Sequence, residues 1–379
     1  MSISNLTRPG ALSAEAMSRQ LARFPQYGSN CEAPASKFDR DARALWGGPL
    51  VPMMADAGAH GRFSRAALSC PPTACTGAIE LSRAAASQPW RNPSAIENLV
   101  CVEGSVEVAY GPELAETVTL GLWDMVSIPQ DVRHQVRNPG ASSARLVSIL
   151  SIAPVGSFKA VFDQAATAAI GESARSELGV SFDAGKGSPV DAATIAGRVT
   201  RFATLVPYKK DLNRTGGLPP EATMRLSAGS VFPLIVPEGH IGRSRTAPMY
   251  GNQGLYISIA ECTAGDDGPP PHAHSDTQES FYVLDGSFEI CTGFDNESMV
   301  PAGPNDLFAV PNKVMRTFRN TSGKPARLLV IIQGPDRMQD TVSFSRTIGD
   351  EFKTRFGEDI IAKYADVRMT FDAEERLGA

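Results

Sequence analysis

ENLVCVEGSVEVAYG (97–111) and ESFYVLDGSFEICTG (279–293) are two versions of one segment, set 182 residues apart. The same offset lays GLWDMVSIPQDVRHQVRNPG (121–140) on GPNDLFAVPNKVMRTFRNTS (303–322). Asp124, Pro129 and Asn138 then fall on Asp306, Pro311 and Asn320. Upstream, AHGRFSRAA (59–67) matches GHIGRSRTA (239–247) at an offset of 180. A sequence duplicated at this spacing folds as two similar units, and 379 residues suits two domains with additions rather than one core.

Each unit reads as β-structure. Runs such as LYISIAEC, SFEICT, LFAVP and ARLLVIIQ alternate apolar and polar residues and are rich in β-branched and aromatic types. Gly, Pro, Asn and Asp separate them. Many short strands at close spacing imply a sandwich or barrel, with Gly104 and Gly286 at tight Gly-Ser turns. Helical patterns fall outside the units, at 156–179, at 190–204, in the tail from Arg346 to Val367, and in an amphipathic helix starting near Ser13. The expected division is a helical arm (1–45), a first unit (46–152), a helical connector (153–215), a second unit (216–335) and a helical tail (336–379). GKGSP (185–189) and RTGGLPP (214–220) are the breaker-rich loops of the connector.

Charge and cysteine usage narrow the partners. A net charge of −5 offers nothing to nucleic acid or an anionic membrane, and no apolar run is long enough to span a bilayer. The N-terminus lacks the apolar centre of a secretory signal, and the six cysteines include no CxxC pair. A cytoplasmic protein with reduced thiols, acting on a small molecule, is expected. Cys70 and Cys75 frame PPTA and read as loop residues rather than a metal pair.

The chemistry concentrates in PPPHAHSDTQESFYVLDG (269–286). His272 and His274, two apart on a strand, point to one face and can share an ion, and Glu279 can reach it as the chain continues. Two imidazoles and a carboxylate suit Fe(II), with Mn, Zn, Ni or Cu as alternatives. The fourth ligand of such a site belongs where the sequence has Arg316. A guanidinium has no lone pair to give, and beside a divalent ion at 4 Å it costs roughly 8 kcal/mol at an effective dielectric near 20. Two arrangements follow. In one, Arg316 turns aside and holds an anionic substrate next to a three-ligand metal; in the other, it pairs with Glu279 and no metal binds. The first is expected, because otherwise both histidines are idle.

These residues resemble the cupin family, and the whole chain resembles a bicupin. His272, His274, Glu279 and Gly286 fit the first cupin motif; Asp306, Pro311 and Asn320 fit the second, with Arg316 replacing its histidine. The first unit resembles the family in Glu97, Gly104, Asp124, Pro129, His134 and Asn138, but Trp90 and Asn92 stand in its histidine slots. The resemblance implies an all-β fold with added helices: two double-stranded β-helix (jelly-roll) cupin barrels in tandem. It further implies a single active site in the C-terminal barrel and a degenerate site at Glu97 and His134. Cupins often assemble as homodimers or larger homo-oligomers.

No nucleophile elbow, P-loop or dinucleotide fingerprint competes. Tyr256, Phe281, Phe288, Phe308 and Phe318 are candidates for the barrel interior, with Phe281 and Phe318 expected to face the substrate. His240 is expected to be structural, since its repeat partner His60 precedes a unit without the histidine pair. The expected activity resembles that of the quercetinase-like cupin dioxygenases, acting on a small anionic aromatic or enolisable organic acid. The alternatives are a metal-assisted isomerase or decarboxylase, and a non-catalytic small-anion binder.

Overall fold

The structure, a computed structural model, describes residues 9–23, 37–71, 73–151, 158–207, 217–240, 247–251, 254–266, 268–334 and 340–378. Parts of GHIGRSRTA and of RTGGLPP lie outside these residues. The chain divides into two compact units: residues 25–204, and residues 205–379 together with 1–24.

In the first unit one sheet runs Val199–Thr200, Met125–Ile128, Ile96–Glu103, Ala144–Ser151, Ala74–Leu81, Leu50–Ala55 and Leu68–Ser69. The other runs Val180–Asp183, Ala160–Asp163, Trp90–Arg91, His134–Arg137, Val106–Tyr110 and Glu116–Leu120. The second unit repeats both orders. Its larger sheet is Leu21–Ala22, Leu307–Val310, Gln278–Asp285, Ala326–Gln333, Leu255–Cys262, Ser230–Val236 and Met249–Tyr250. The smaller is Ser298–Ala302, Phe288–Thr292, Arg316–Asn320, His272–His274, Val342–Phe344 and Met369–Thr370. Each unit is thus a double-stranded β-helix of two mostly antiparallel sheets around one core, as the alternation of the sequence implies. In the second unit Phe281 and Phe308 from one sheet share that core with Phe288 and Phe318 from the other. Phe281 meets Phe318 edge to face at 5.2 Å.

The residues that repeat most visibly hold the frame. Asn320 donates to the carbonyls of Cys262, Thr263 and Lys324 and accepts from Ser322, pinning a turn to the neighbouring strand. Asn138 does the same with Leu81, Ser82, Ser142 and Gly140. Gly286 turns at φ +76°, and a Cβ there would sit 2.4 Å from that of Ala326, so both backbone and space require glycine.

Two features depart from the expected division. The helical arm is split: Ser13 caps the helix Ala14–Arg19, as expected, but Leu21 and Ala22 then pair with Phe308 and Leu307 of the C-terminal unit. Helix Lys37–Trp46 belongs to the other unit. The connector likewise supplies strands: AVFD (160–163), whose residues alternate between buried and half-buried, pairs in parallel with VSFD (180–183), which alternates apolar and polar residues. Its last part, Asp191–Arg201, is a second copy of the arm. Asp191 caps the helix Ala192–Ala196, Val199–Thr200 covers the edge strand Met125–Ile128, and Arg201 pairs with Asp124 at 2.7 Å. Arg23 pairs with Asp306 at 2.9 Å in the same way. An uncovered edge strand would present unpaired backbone groups, which explains why each unit carries such a strap.

The tail forms helices Arg346–Phe356 and Ile360–Ala365, as its pattern implies. Phe352, Tyr364 and Phe371 pack there with Phe344, so the tail continues the smaller sheet and its core. No helix among the described residues is long and apolar enough to cross a membrane.

Candidate metal centre

His272 and His274 lie on a three-residue strand, and Glu279 opens onto them from the next strand, in the other sheet. All three are buried, at 6%, 5% and 7% exposure. Their ligating atoms lie within 4.8 Å of one another. Each ring is held through Nδ1: that of His272 donates to the Pro270 carbonyl at 3.0 Å, and that of His274 donates to Asp340 Oδ2 at 2.6 Å. Nε2 of each ring is thereby left with its lone pair turned toward Glu279.

The gaps fit an ion. His272 Nε2 and His274 Nε2 stand 3.7 and 3.6 Å from Glu279 Oε2, too far for hydrogen bonds. Ligands held at about 2.1 Å around one ion are roughly 3.0–3.4 Å apart, so a small inward movement closes the set. Glu279 Oε2 is buried without a hydrogen-bond partner, a costly state that a cation relieves. Burial works to raise the Glu279 carboxyl, and the buried Arg316 charge beside it works to lower it; the net direction is down. Burial lowers His272, with Arg316 and His274 acting in the same direction, which favours the neutral ligand form.

Arg316 occupies the fourth-ligand position, opposite His272 in the strand register. It is fully buried, and its Nη2 donates to the Pro311 carbonyl at 3.0 Å. Its Nε is 3.7 Å from Glu279 Oε2, and neither Nε nor Nη1 has a hydrogen-bond partner among the described residues. It therefore neither closes a hydrogen bond with Glu279 nor reaches the cavity.

That cavity, about 180 Å³, lies over the three donors. A cavity of about 150 Å³ holds one benzene ring, so this is space for a single small ring or acid. Val231, Tyr256, Phe318, Val330, Ile332 and Phe344 are among its apolar walls; Arg368, His240, Ser258 and Asp340 are polar. Phe318 faces it as expected, whereas Phe281 is buried behind, in the core. His240 lines it too, with its ring 6.1 Å from that of Tyr256. Sequence reasoning missed Arg368 and Asp340, which both come from the tail, outside both motifs.

The first unit closes the corresponding position with hydrogen bonds. Glu97 accepts from Trp90 Nε1 at 3.0 Å, from Asn92, from Ser148 at 2.6 Å and from His134 Nε2 at 3.2 Å. Arg62 donates to Asn92 at 2.8 Å from behind. Its carboxylate is taken up by hydrogen bonds and an indole stands in the first histidine slot, and the described residues of this unit bring together no set of three metal-ligating side chains. Burial opposes ionisation of Glu97, but the His134 hydrogen bond and the Arg62 charge outweigh it, and its carboxyl is held down at about 2.

Among the described residues, two copies of one double-stranded β-helix, of which only the second turns a His–His–Glu set onto a cavity, define a two-barrel protein with one candidate metal centre. Residues 259–332 match the family described as Cupin domain, and the first unit is built on the same strand order as the second. No curated protein matches the chain. Among solved structures it is similar to the salicylate 1,2-dioxygenase of Pseudaminobacter salicylatoxidans, at 11% identity and a TM-score of 0.49, covering 83% of each chain. It is also similar to hazelnut (Corylus avellana) vicilin, at 12% identity and a TM-score of 0.45, covering 79% of this chain and 88% of that one. With the oxalate decarboxylase of Bacillus subtilis it shares 14% identity at a TM-score of 0.44, over 71% and 70% of the two chains.

Proposed function

We propose that the C-terminal barrel is the active site of a metal-dependent dioxygenase for a small anionic aromatic or enolisable acid. The observation that carries this reading is the unpartnered Glu279 Oε2, faced by two imidazole Nε2 atoms on the floor of a ring-sized cavity. His272, His274 and Glu279 are the proposed ligands and Fe(II) the proposed ion. Bound there, the ion supplies Lewis-acid polarisation and open positions for substrate oxygen and dioxygen.

The chain's own residues do the rest. The apolar walls take the body of the substrate and keep water from the reacting carbon. Arg368, the arginine among the residues lining the cavity, is the group proposed to meet the substrate's carboxylate or enolate, the task the sequence had suggested for Arg316. Arg316 stays behind the ligands and adds positive charge to the site. A bound anion is thereby favoured.

Elemental analysis of the purified protein tests the proposal. Near-stoichiometric iron that is lost in His272→Ala, together with dioxygen uptake on adding hydroxybenzoates or β-diketones, is the expected result. Metal with turnover but no dioxygen uptake would instead identify an isomerase or decarboxylase. A metal-free protein that binds such anions tightly would be a binder.

A further inference from the structure

A cation site beside a buried guanidinium needs a countercharge, and Glu279 alone only cancels Arg316. The second carboxylate near the site is Asp340. Its side chain is 9% exposed. Oδ2 accepts from His274 Nδ1 at 2.6 Å and from the Thr277 hydroxyl, and Oδ1 accepts from the Asp276 backbone N–H at 2.9 Å. Three donors therefore fix this carboxylate, and its charge also acts on Arg316.

The duplication provides an internal comparison. At the offset of 182, His274, Thr277 and Asp340 correspond to Asn92, Ala95 and Phe158. The register supports that offset so far along the chain, since His272 faces Phe344 as Trp90 faces Phe162. The unit with the histidine pair has the whole His–Thr–Asp arrangement. The unit without the pair has none of it, and there Phe158 packs on Phe63 instead. A carboxylate needed only to hold the strands together would be as useful in either barrel.

We propose that Asp340 is a positioning residue of the metal centre. It locks His274 in the tautomer that turns Nε2 toward Glu279, and it supplies the negative charge that lets a divalent cation bind beside Arg316. The second part rests on the metal reading given above; the first does not.

Two variants separate the two parts. Asp340→Asn removes the charge but retains an oxygen that can accept from Nδ1, whereas Asp340→Ala removes both. With only five histidines in the chain, 15N-histidine labelling gives a resolvable long-range spectrum of the metal-free protein. His274 is expected as the Nδ1–H tautomer in the wild type and in Asp340→Asn, and to lose that signature in Asp340→Ala. Mn2+ titration followed by EPR should show 10- to 100-fold weaker binding in both variants, with Arg316→Gln recovering part of the loss in the Asp340→Asn background. An unchanged tautomer in a folded Asp340→Ala protein overturns the positioning role. An Asp340→Asn protein with wild-type Mn2+ affinity, or one that Arg316→Gln does not improve, overturns the charge role. A wild type that takes up no Mn2+ sinks the metal reading and the charge role with it, and the spectrum then decides the positioning role alone.

Discussion

Arg316 is the register partner of His272 across two antiparallel strands, yet its guanidinium donates to the Pro311 carbonyl rather than to Glu279. The arginine thus holds a ligand's position in the backbone without blocking the donors. In the first unit the corresponding partners are His134 and Trp90, so each unit has replaced a different part of one ligand set.

Replacing Arg316 by histidine should complete that set. The new imidazole sits where His134 sits in the first barrel, and a buried positive charge disappears. We expect at least tenfold tighter binding of Mn2+ or Zn2+, about 1.4 kcal/mol, by chelator competition. Equal or weaker affinity would show that this position does not face the donors.

Glu97→Gln should destabilise the first barrel by about 3 kcal/mol, since it leaves the buried Arg62 without its countercharge and weakens the hydrogen bonds that the carboxylate accepts. The wild-type carboxyl, held at about 2 rather than 4.5, contributes stability that is fully present above pH 4.5. That contribution fades as the pH falls from 4.5 toward 2. Urea midpoints measured at pH 7, 4 and 3 should therefore fall in the wild type and fall less steeply in Glu97→Gln. Metal content should stay the same in both.

Phe281 and Phe318 touch each other but should respond differently. Phe281→Ala opens a hole in the core and should cost about 3–5 kcal/mol in thermal or denaturant unfolding, with little change in ligand affinity. Phe318→Ala removes a cavity wall as well, so binding of benzoate-sized anions should weaken at least tenfold. Equal effects on binding would contradict the placement of Phe281 behind the cavity.

Deleting residues 1–23 uncovers the strand Leu307–Val310, which Leu21 and Ala22 otherwise pair. The expected result is a lower melting temperature and concentration-dependent self-association by light scattering, because an open edge recruits another strand. A truncated protein that remains monodisperse and equally stable would remove the strap from the account.

Much of the site was legible because its residues lie close together in the sequence. His272, His274 and Glu279 span eight positions, and strand alternation alone places the two histidines on one face. Phe318 was legible from its motif, while Phe281, also two residues from a motif position, turned into the core. Arg368 and Asp340 were not legible, because their approach to the site depends on where the tail lies. The arm-like copy at Asp191–Arg201 was missed for a different reason. Its resemblance to Ser13–Arg23 is in role, a cap, a short helix, two strand residues and an arginine, and few of its letters repeat.

The sequence by itself determined that there are two β units, that only the second keeps a His–His–Glu triad, and that Arg316 stands where His134 stands in the first unit. Those are matters of local alternation, turn chemistry and duplication. Only the tertiary structure decided where the guanidinium points, which arginine lines the cavity, and which carboxylate supports His274. Each depends on packing between segments far apart in the chain, where burial and the satisfaction of polar groups, rather than local pattern, select the arrangement.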